Sequence, residues 1–403
     1  MSDRFDEPRS PPPTLAGTTI LQIVPELREE PNARAALDVA HMLLQAGARA
    51  LVAGREGPLV GDLKAYGGEW VPFAADSANP LTRRRNNGVL ERLIGSERID
   101  IIHAQCLGGA ACAWQAAETV AVWLVTTLPD APPASAGEFT QQVGNLVHGD
   151  RIIAPSSYAA TPVMERLGVP RERITVVPRS VDTGLFDPRA IHQNRLTVLR
   201  NAWSIPSQHR VVMTPGRVAP WNGQSLLPEV ARTLADSGLR DIIFVIVGEN
   251  RQYRSYAQAV LARAQALGVD AMFRITGHCA DMPAAFAIAD IVVVPAIEAP
   301  VLGRVVAQAQ AMGKPVVASN VGVFPEYIVT PPQMPEDVRT GWVTAAGDPL
   351  DIARALASAL TLDDSAYHAM CARAREFAEY MFSPESVAVA TRAVYVSLLA
   401  RAA

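Results

Sequence analysis

Reactive side chains are few and scattered in this sequence. The cysteines Cys106, Cys112, Cys279 and Cys371 lack metal-ligand spacing, because Cys106 and Cys112 are six apart with no second close pair. They read as small buried residues in a reducing compartment rather than as zinc ligands or disulfides. Three consecutive arginines, Arg83 to Arg85, suit a solvated face, with an anionic membrane surface as the lesser alternative. Glu249 follows the apolar run VIVG, and Glu326 follows a second such run in VGVFPEYI. Glu249 stands where a strand would end and a ligand could be met, although either could be an ordinary loop acid.

The scaffold that must position these groups is large enough for real cores. The chain has 403 residues, 49% of them hydrophobic, with 36 basic and 40 acidic side chains and a formal net charge of -4. That balance argues against nucleic acid as a partner. The first 17 residues are polar and proline-rich and read as a disordered tail without a secretory signal. No apolar run approaches the ~18 residues of a spanning helix, so a cytoplasmic protein is expected, with the inner face of the membrane as a peripheral contact.

Short β-branched runs alternate with longer amphipathic stretches along nearly the whole chain. Strands are expected at residues 18–24, 49–53, 70–73, 99–103, 122–126 and 151–154, with helices at 33–45, 80–94, 108–119 and 157–167. A break rich in Pro, Gly and Asp follows at 176–188. Strands then recur at 210–214, 242–247, 272–275, 291–294 and 315–318, among helices at 225–236, 252–267 and 302–312. Near-continuous apolar strands separated by helices predict parallel sheets covered on both faces. The expected organisation is a first α/β domain at 18–188, a second at 189–380 and a terminal helix at 381–403. Such doubly wound domains gather loops and helix N-termini at the strand C-termini, where phosphates are well received. On this reading a nucleotide-dependent transferase, a periplasmic-type binding protein and an epimerase all remain open.

The motifs narrow the choice. MTPGRVAPWNGQSLLPEVA from Met213, VGE at Val247, and TGHCADMPAAFAIADIVVVPAIEAPVLGRVVAQAQAMGKPVVASNVGVFPEYI resemble, in order, the second half of family-4 glycosyltransferases. TILQIVPEL, IDIIHAQ, VTTLPD and RIIAPSSYAATPVMERLGVPRERITVVPRSVDTGLFDP look like the acceptor-side domain of that family. The resemblance implies a GT-B fold, two Rossmann-like domains facing a central cleft, with the last helix crossing back to the first domain. It also implies transfer of a sugar from a nucleotide-sugar, with retention and without a metal or other cofactor. The acceptor would be a cell-envelope glycan or glycolipid.

Residue by residue, the resemblance places Arg217 on the donor phosphate, where a guanidinium fork is the right group. Its usual lysine partner falls at Asn222, which donates a hydrogen bond but supplies no charge. The paired glutamates, seven residues between them, fall at Pro300 and Gln308. Gln308 would retain an acceptor for ribose, and Glu298 stands two residues before the first position. Gly303 and Arg304 would open a helix toward phosphate oxygens. His278 fits the turn that meets the base, and Glu326 matches a recurring carboxylate. In the first half, Glu30 and Pro31 replace a Gly-Gly pair, and Glu29 and Glu30 bring charge that repels a diphosphate. The family histidine falls at Pro129, while His103 reads as structural or as shaping the acceptor side.

Two readings follow. The chain is a retaining glycosyltransferase, or a GT-B relative whose degenerate site leaves a binding, scaffolding or regulatory role. An epimerase would need clustered acids and histidines that the sequence does not supply.

Overall fold

The computed structural model describes residues 14–76, 80–129, 143–300 and 302–400. The chain divides into two compact units. The first comprises Met1–Pro155, Ala160–Val177 and Val387–Ala403, and the second Ser156–Ala159 and Pro178–Ser386. Residues 1–13 of the expected tail lie outside the described residues. Leu15, inside the stretch read as disordered, is fully buried in the first unit.

The first unit is built on β1 (Thr19–Glu26), β2 (Arg49–Arg55), β3 (Glu69–Pro72), β4 (Ile101–Ala104), β5 (Trp123–Thr127), β6 (Arg151–Ala154) and β7 (Ile174–Val176). They form one sheet in the order β3-β2-β1-β4-β5-β6-β7, parallel throughout. The second unit repeats the scheme with β8 (Arg210–Pro215), β9 (Ile242–Val247), β10 (Phe273–Gly277), β11 (Ile291–Val294), β12 (Val316–Ser319) and β13 (Gly341–Thr344). Its order is β10-β9-β8-β11-β12-β13, again parallel. The doubly wound reading of the sequence is what the structure shows.

Strand alternation explains the two-sided burial. Val211, Met213, Ile243 and Val245 face one apolar layer, while Val212, Ile242, Phe244 and Ile246 face the other. Leu21 and Ile23 against Ile20 and Val24 do the same in the first unit. Helices on both faces cover these side chains, as a parallel sheet requires. Four elements lie outside the expected pattern: β7, β13 and the helices Gln193–Ala202 and Met282–Ile288. Both strands are short edges, and the first helix has no buried residue.

The terminal helix Pro384–Leu399 contributes Val387, Val394, Tyr395 and Leu398 to the first unit's core. There the Tyr395 hydroxyl lies 2.7 Å from Nδ1 of buried His103, whose Nε2 lies 2.6 Å from the Thr127 hydroxyl. Both ring nitrogens are thus engaged in holding β4, β5 and the last helix together. Among the described residues, no helix is long and apolar enough to cross a membrane.

In both sheets an aspartate just before one strand fixes the start of its neighbour. Asp100, preceding β4, accepts from the Thr19 amide at 2.8 Å, and Asp290, preceding β11, accepts from the Val211 amide at 2.7 Å. Arg210 Nε also stands 2.9 Å from Asp290, as a charge contact outside hydrogen-bond alignment. Asp290→Ala orphans a strand amide and a half-buried arginine, so it should cost about 1–3 kcal/mol. A fall in the urea midpoint of the second unit's unfolding checks this, and an unchanged midpoint would contradict it.

Candidate functional site in the second unit

The strand order of the second unit reverses between β8 and β11. The chain leaves β8 toward β9 on one side and leaves β11 toward β12 on the other, so the two departing loops diverge and open a crevice. A cavity of about 310 Å³ lies there. Thr214, Pro215 and Gly216 line it from the end of β8, and Val294, Pro295 and Ala296 from the end of β11. Asn222, Gln224, Glu298, Pro300 and Phe324 also border it.

The two loops are locked to each other through backbone. The amides of Ile297 and Glu298 both donate to the Trp221 carbonyl, at 2.9 and 3.2 Å. Gly223 makes the approach sterically feasible. Its φ is +70°, and a Cβ added there would lie 1.9 Å from the Pro295 carbonyl oxygen. Gly248 packs as tightly, since its Cβ would lie 1.8 Å from the Gly216 oxygen. A side chain at Gly223 would push the β8 and β11 loops apart, and one at Gly248 would displace the Gly216 backbone from β9.

Arg217 follows the lining residue Gly216, and Arg304 lies between the lining residues Leu302 and Val305. Both are exposed, and neither finds a carboxylate among the described residues. Arg304 is the first residue of the helix Arg304–Ala311, whose N-cap is Gly303. Gly303 is buried against the Tyr327 ring, 2.5 Å from where its Cβ would be. Free guanidinium groups beside free helix amides make a setting for phosphate oxygens. Gln308 lies one turn further along this helix and is half-buried.

Asn222 uses its side chain on the loop itself, donating to the Arg217 carbonyl at 2.7 Å. Gln224, which the motif comparison passed over, is fully buried and donates to the same carbonyl at 3.0 Å. Two side chains therefore set the backbone that carries Arg217. The signal for Gln224 was a polar residue next to the apolar run that opens the helix Leu227–Asp236.

The remaining expected residues sit apart from the cavity lining. His278 is exposed in the loop after β10. Nearby Glu249 accepts from the Arg251 amide at 2.7 Å, and that bond holds its carboxyl below the usual range. In the same loop burial pushes the Cys279 thiol up, away from the reactive thiolate. The Glu326 carboxylate accepts from the Ser157 and Tyr158 amides, each at 2.7 Å, within the second unit's own residues.

In the first unit, Glu29 and Glu30 are not bare charges. Arg34 grips Glu29 at 2.7 Å, and Arg28 lies 3.5 Å from Glu30. Glu30 is the N-cap of the helix Pro31–Gln45, with Pro31 in the first turn, where its missing N–H costs nothing. The repulsion expected from these acids is offset by their arginine neighbours. Pro129 is half-buried at the end of β5.

Family models match both halves of the chain: Glycosyltransferase Family 4 over residues 33–185 and Glycosyl transferases group 1 over residues 197–377. The chain carries two glycosyltransferase domains. A D-inositol 3-phosphate glycosyltransferase of Salinispora tropica is 28% identical over 309 residues, covering 71% of this chain and 62% of that protein. The Mycobacterium tuberculosis protein of the same name is 30% identical over 247 residues, covering 56% and 48%. The chain thus spans roughly half to three fifths of the length of the curated relatives it matches. Among solved structures, a Rickettsia africae glycosyltransferase superposes with a TM-score of 0.77 at 22% identity, covering 95% of this chain and 98% of that one. Anabaena HepE in complex with UDP gives 0.72 at 18%, covering 94% and 100%. At these identities the likeness establishes the GT-B glycosyltransferase fold.

Gly223→Ala combines a left-handed backbone with a clash on Pro295 and should cost more than about 2 kcal/mol. Gly268→Ala, at φ +67° with nothing within 4 Å of its added Cβ, should cost only about 1 kcal/mol. Paired thermal melts check the contrast; equal losses would show that the Gly223–Pro295 approach carries no special weight.

Proposed function

We propose that this protein is a glycosyltransferase that takes a nucleotide-sugar in the cavity between the ends of β8 and β11. In this reading it passes the sugar, with retention, to a cell-envelope glycan or glycolipid. The observation that carries the reading is the pair of guanidinium groups without a carboxylate partner, Arg217 and Arg304, next in the chain to residues that line that cavity. Relatives named as glycosyltransferases and a structural neighbour solved with UDP-glucose support it.

The residues divide the work by chemistry. Arg217 and Arg304, with the first amides of the helix Arg304–Ala311, hold the diphosphate and stabilise the charge that builds on it as the glycosidic bond breaks. Asn222 and Gln224 fix the Arg217 backbone and so keep its guanidinium aimed. Glu298 is the one carboxylate among the residues lining the cavity and can accept from sugar hydroxyls. Gln308 would accept from ribose.

A second reading keeps the binding and drops the transfer, with the protein serving as a scaffolding or regulatory partner. Pro300 favours it, because it lines the cavity where the resembling family carries an acid and brings no polar side chain.

Titration calorimetry with UDP, GDP and ADP tests the common ground, and no binding by any of the three would overturn both readings. Arg217→Ala removes a charge-assisted contact and should weaken diphosphate binding about tenfold or more. Release of nucleoside diphosphate from UDP-glucose, ADP-glucose or GDP-mannose then separates transfer from binding alone. The double variant Pro300→Glu with Gln308→Glu should raise turnover several-fold if those positions limit the chemistry. An unchanged rate would place the limitation elsewhere.

A further inference from the structure

A second cavity, of about 550 Å³, lies wholly within the first unit. Its residues come from the ends of β2 and β3 and from one face of the helix Pro80–Glu97. Thr82, Arg85, Asn86 and Val89 form that face, at the three- and four-residue spacing of neighbours on a helix. Asn86 ties the helix to the end of β3, its Nδ2 donating to the Ala74 carbonyl at 2.9 Å. Trp70 spends its indole N–H on the Gly54 carbonyl at 3.0 Å, so it offers the cavity hydrocarbon only.

The charged residues of the lining are not equivalent. Arg55 gives both ends of its fork to Asp76, at 2.8 and 2.9 Å. Arg85 and Glu56 are both exposed, and among the described residues neither meets an opposite charge, not even each other. Asn86 is 6% exposed, and its Oδ1 takes no donor within the protein yet is not sealed from solvent.

We infer that this cavity binds an anionic sugar, with Arg85 on the phosphate or carboxylate and Glu56 and Asn86 on the hydroxyls. On the glycosyltransferase reading, on which this role rests, that sugar is the group receiving the transferred one. The lining decides the ligand. A guanidinium without a carboxylate is free to take an anion in its fork. Glu56 and Asn86 Oδ1 only accept, so they call for O–H donors. Trp70, Phe73, Pro72 and Val89 supply apolar wall for the carbon faces of a ring. A neutral sugar would leave Arg85 unused, and a bare anion would leave the acceptors and the apolar wall unused.

Titration calorimetry at low salt tests this, with glucose 6-phosphate and glucuronate as the two anionic sugars. Methyl phosphate and acetate carry the same charges without the sugar, and glucose carries the sugar without the charge. At least one anionic sugar should bind at about 1 mM or tighter. It should exceed both glucose and its small-anion counterpart about tenfold, the worth of a charge-assisted bond. Whichever of the two wins identifies the anion as phosphate or carboxylate. In Arg85→Gln its advantage over glucose should fall to within about twofold. Arg84→Gln removes the same charge from an exposed neighbour outside the lining and should leave the advantage intact. Thermal melts of both variants confirm that they are folded.

Equal binding of glucose and both anionic sugars would overturn the inference, as would small anions binding as well as the sugars. Equal losses in Arg84→Gln and Arg85→Gln would overturn it too, and would show a diffuse basic face suited to an anionic surface. If the anionic sugars fail while a nucleoside diphosphate binds, the inference falls and the glycosyltransferase reading stands. If they bind while no nucleotide does, the site stands and its acceptor role falls with that reading.

Discussion

The reversal of winding between β8 and β11 is the constraint on which the second unit's chemistry depends. Two adjacent parallel strands send their loops in opposite directions, and no packing of helices can close the gap that results. Asp290 fixes where this happens, because its carboxylate ties the start of β8 to the chain entering β11. With the strand starts aligned, the strand ends are aligned as well, and Gly216 and Pro295 emerge on either side of one crevice. The first unit uses Asp100 in the same way between β1 and β4, its own point of reversal.

What keeps the crevice from spreading is close backbone contact. The Gly223 and Gly248 approaches and the paired bonds to Trp221 make the loops part of the scaffold. A rigid wall can hold polar atoms without partners, since relaxation cannot reach them. Thr214 Oγ1 and Gln224 Oε1 are two buried atoms of this wall that meet no partner among the described residues.

Much of this was legible in the sequence, for physical reasons. Runs such as DIIFVIV and DIVVVPAI can only be strands covered on both faces, and the aspartate before the second is the residue that pins its neighbour. Short edges such as β13 carry too little apolar pattern to register. Gly223 and Gly303 stood in motifs, but the walls they approach, Pro295 and Tyr327, are distant in sequence. Glu29 and Glu30 were visible as charge, while their neutralisation depends on where Arg28 and Arg34 turn. Gln224 was hidden most completely. A buried glutamine with one end satisfied has no signature apart from its apolar surroundings.

The identity of the two unpaired cations has a practical side. Both are arginines, and the whole sequence holds only two lysines, Lys64 and Lys314. Lys314 donates to the Ala287 carbonyl, below the strand entries rather than at their ends, and Lys64 lies over the Trp70 ring in the first unit. Guanidinium groups stay charged across the working range of any ordinary buffer, whereas ammonium groups can be acylated or discharged. Reagents that acylate amines therefore leave both arginines beside this cavity, Arg217 and Arg304, unmodified. Amine-directed labels and resins meet the exposed Lys64 in the first unit, since burial holds Lys314 back.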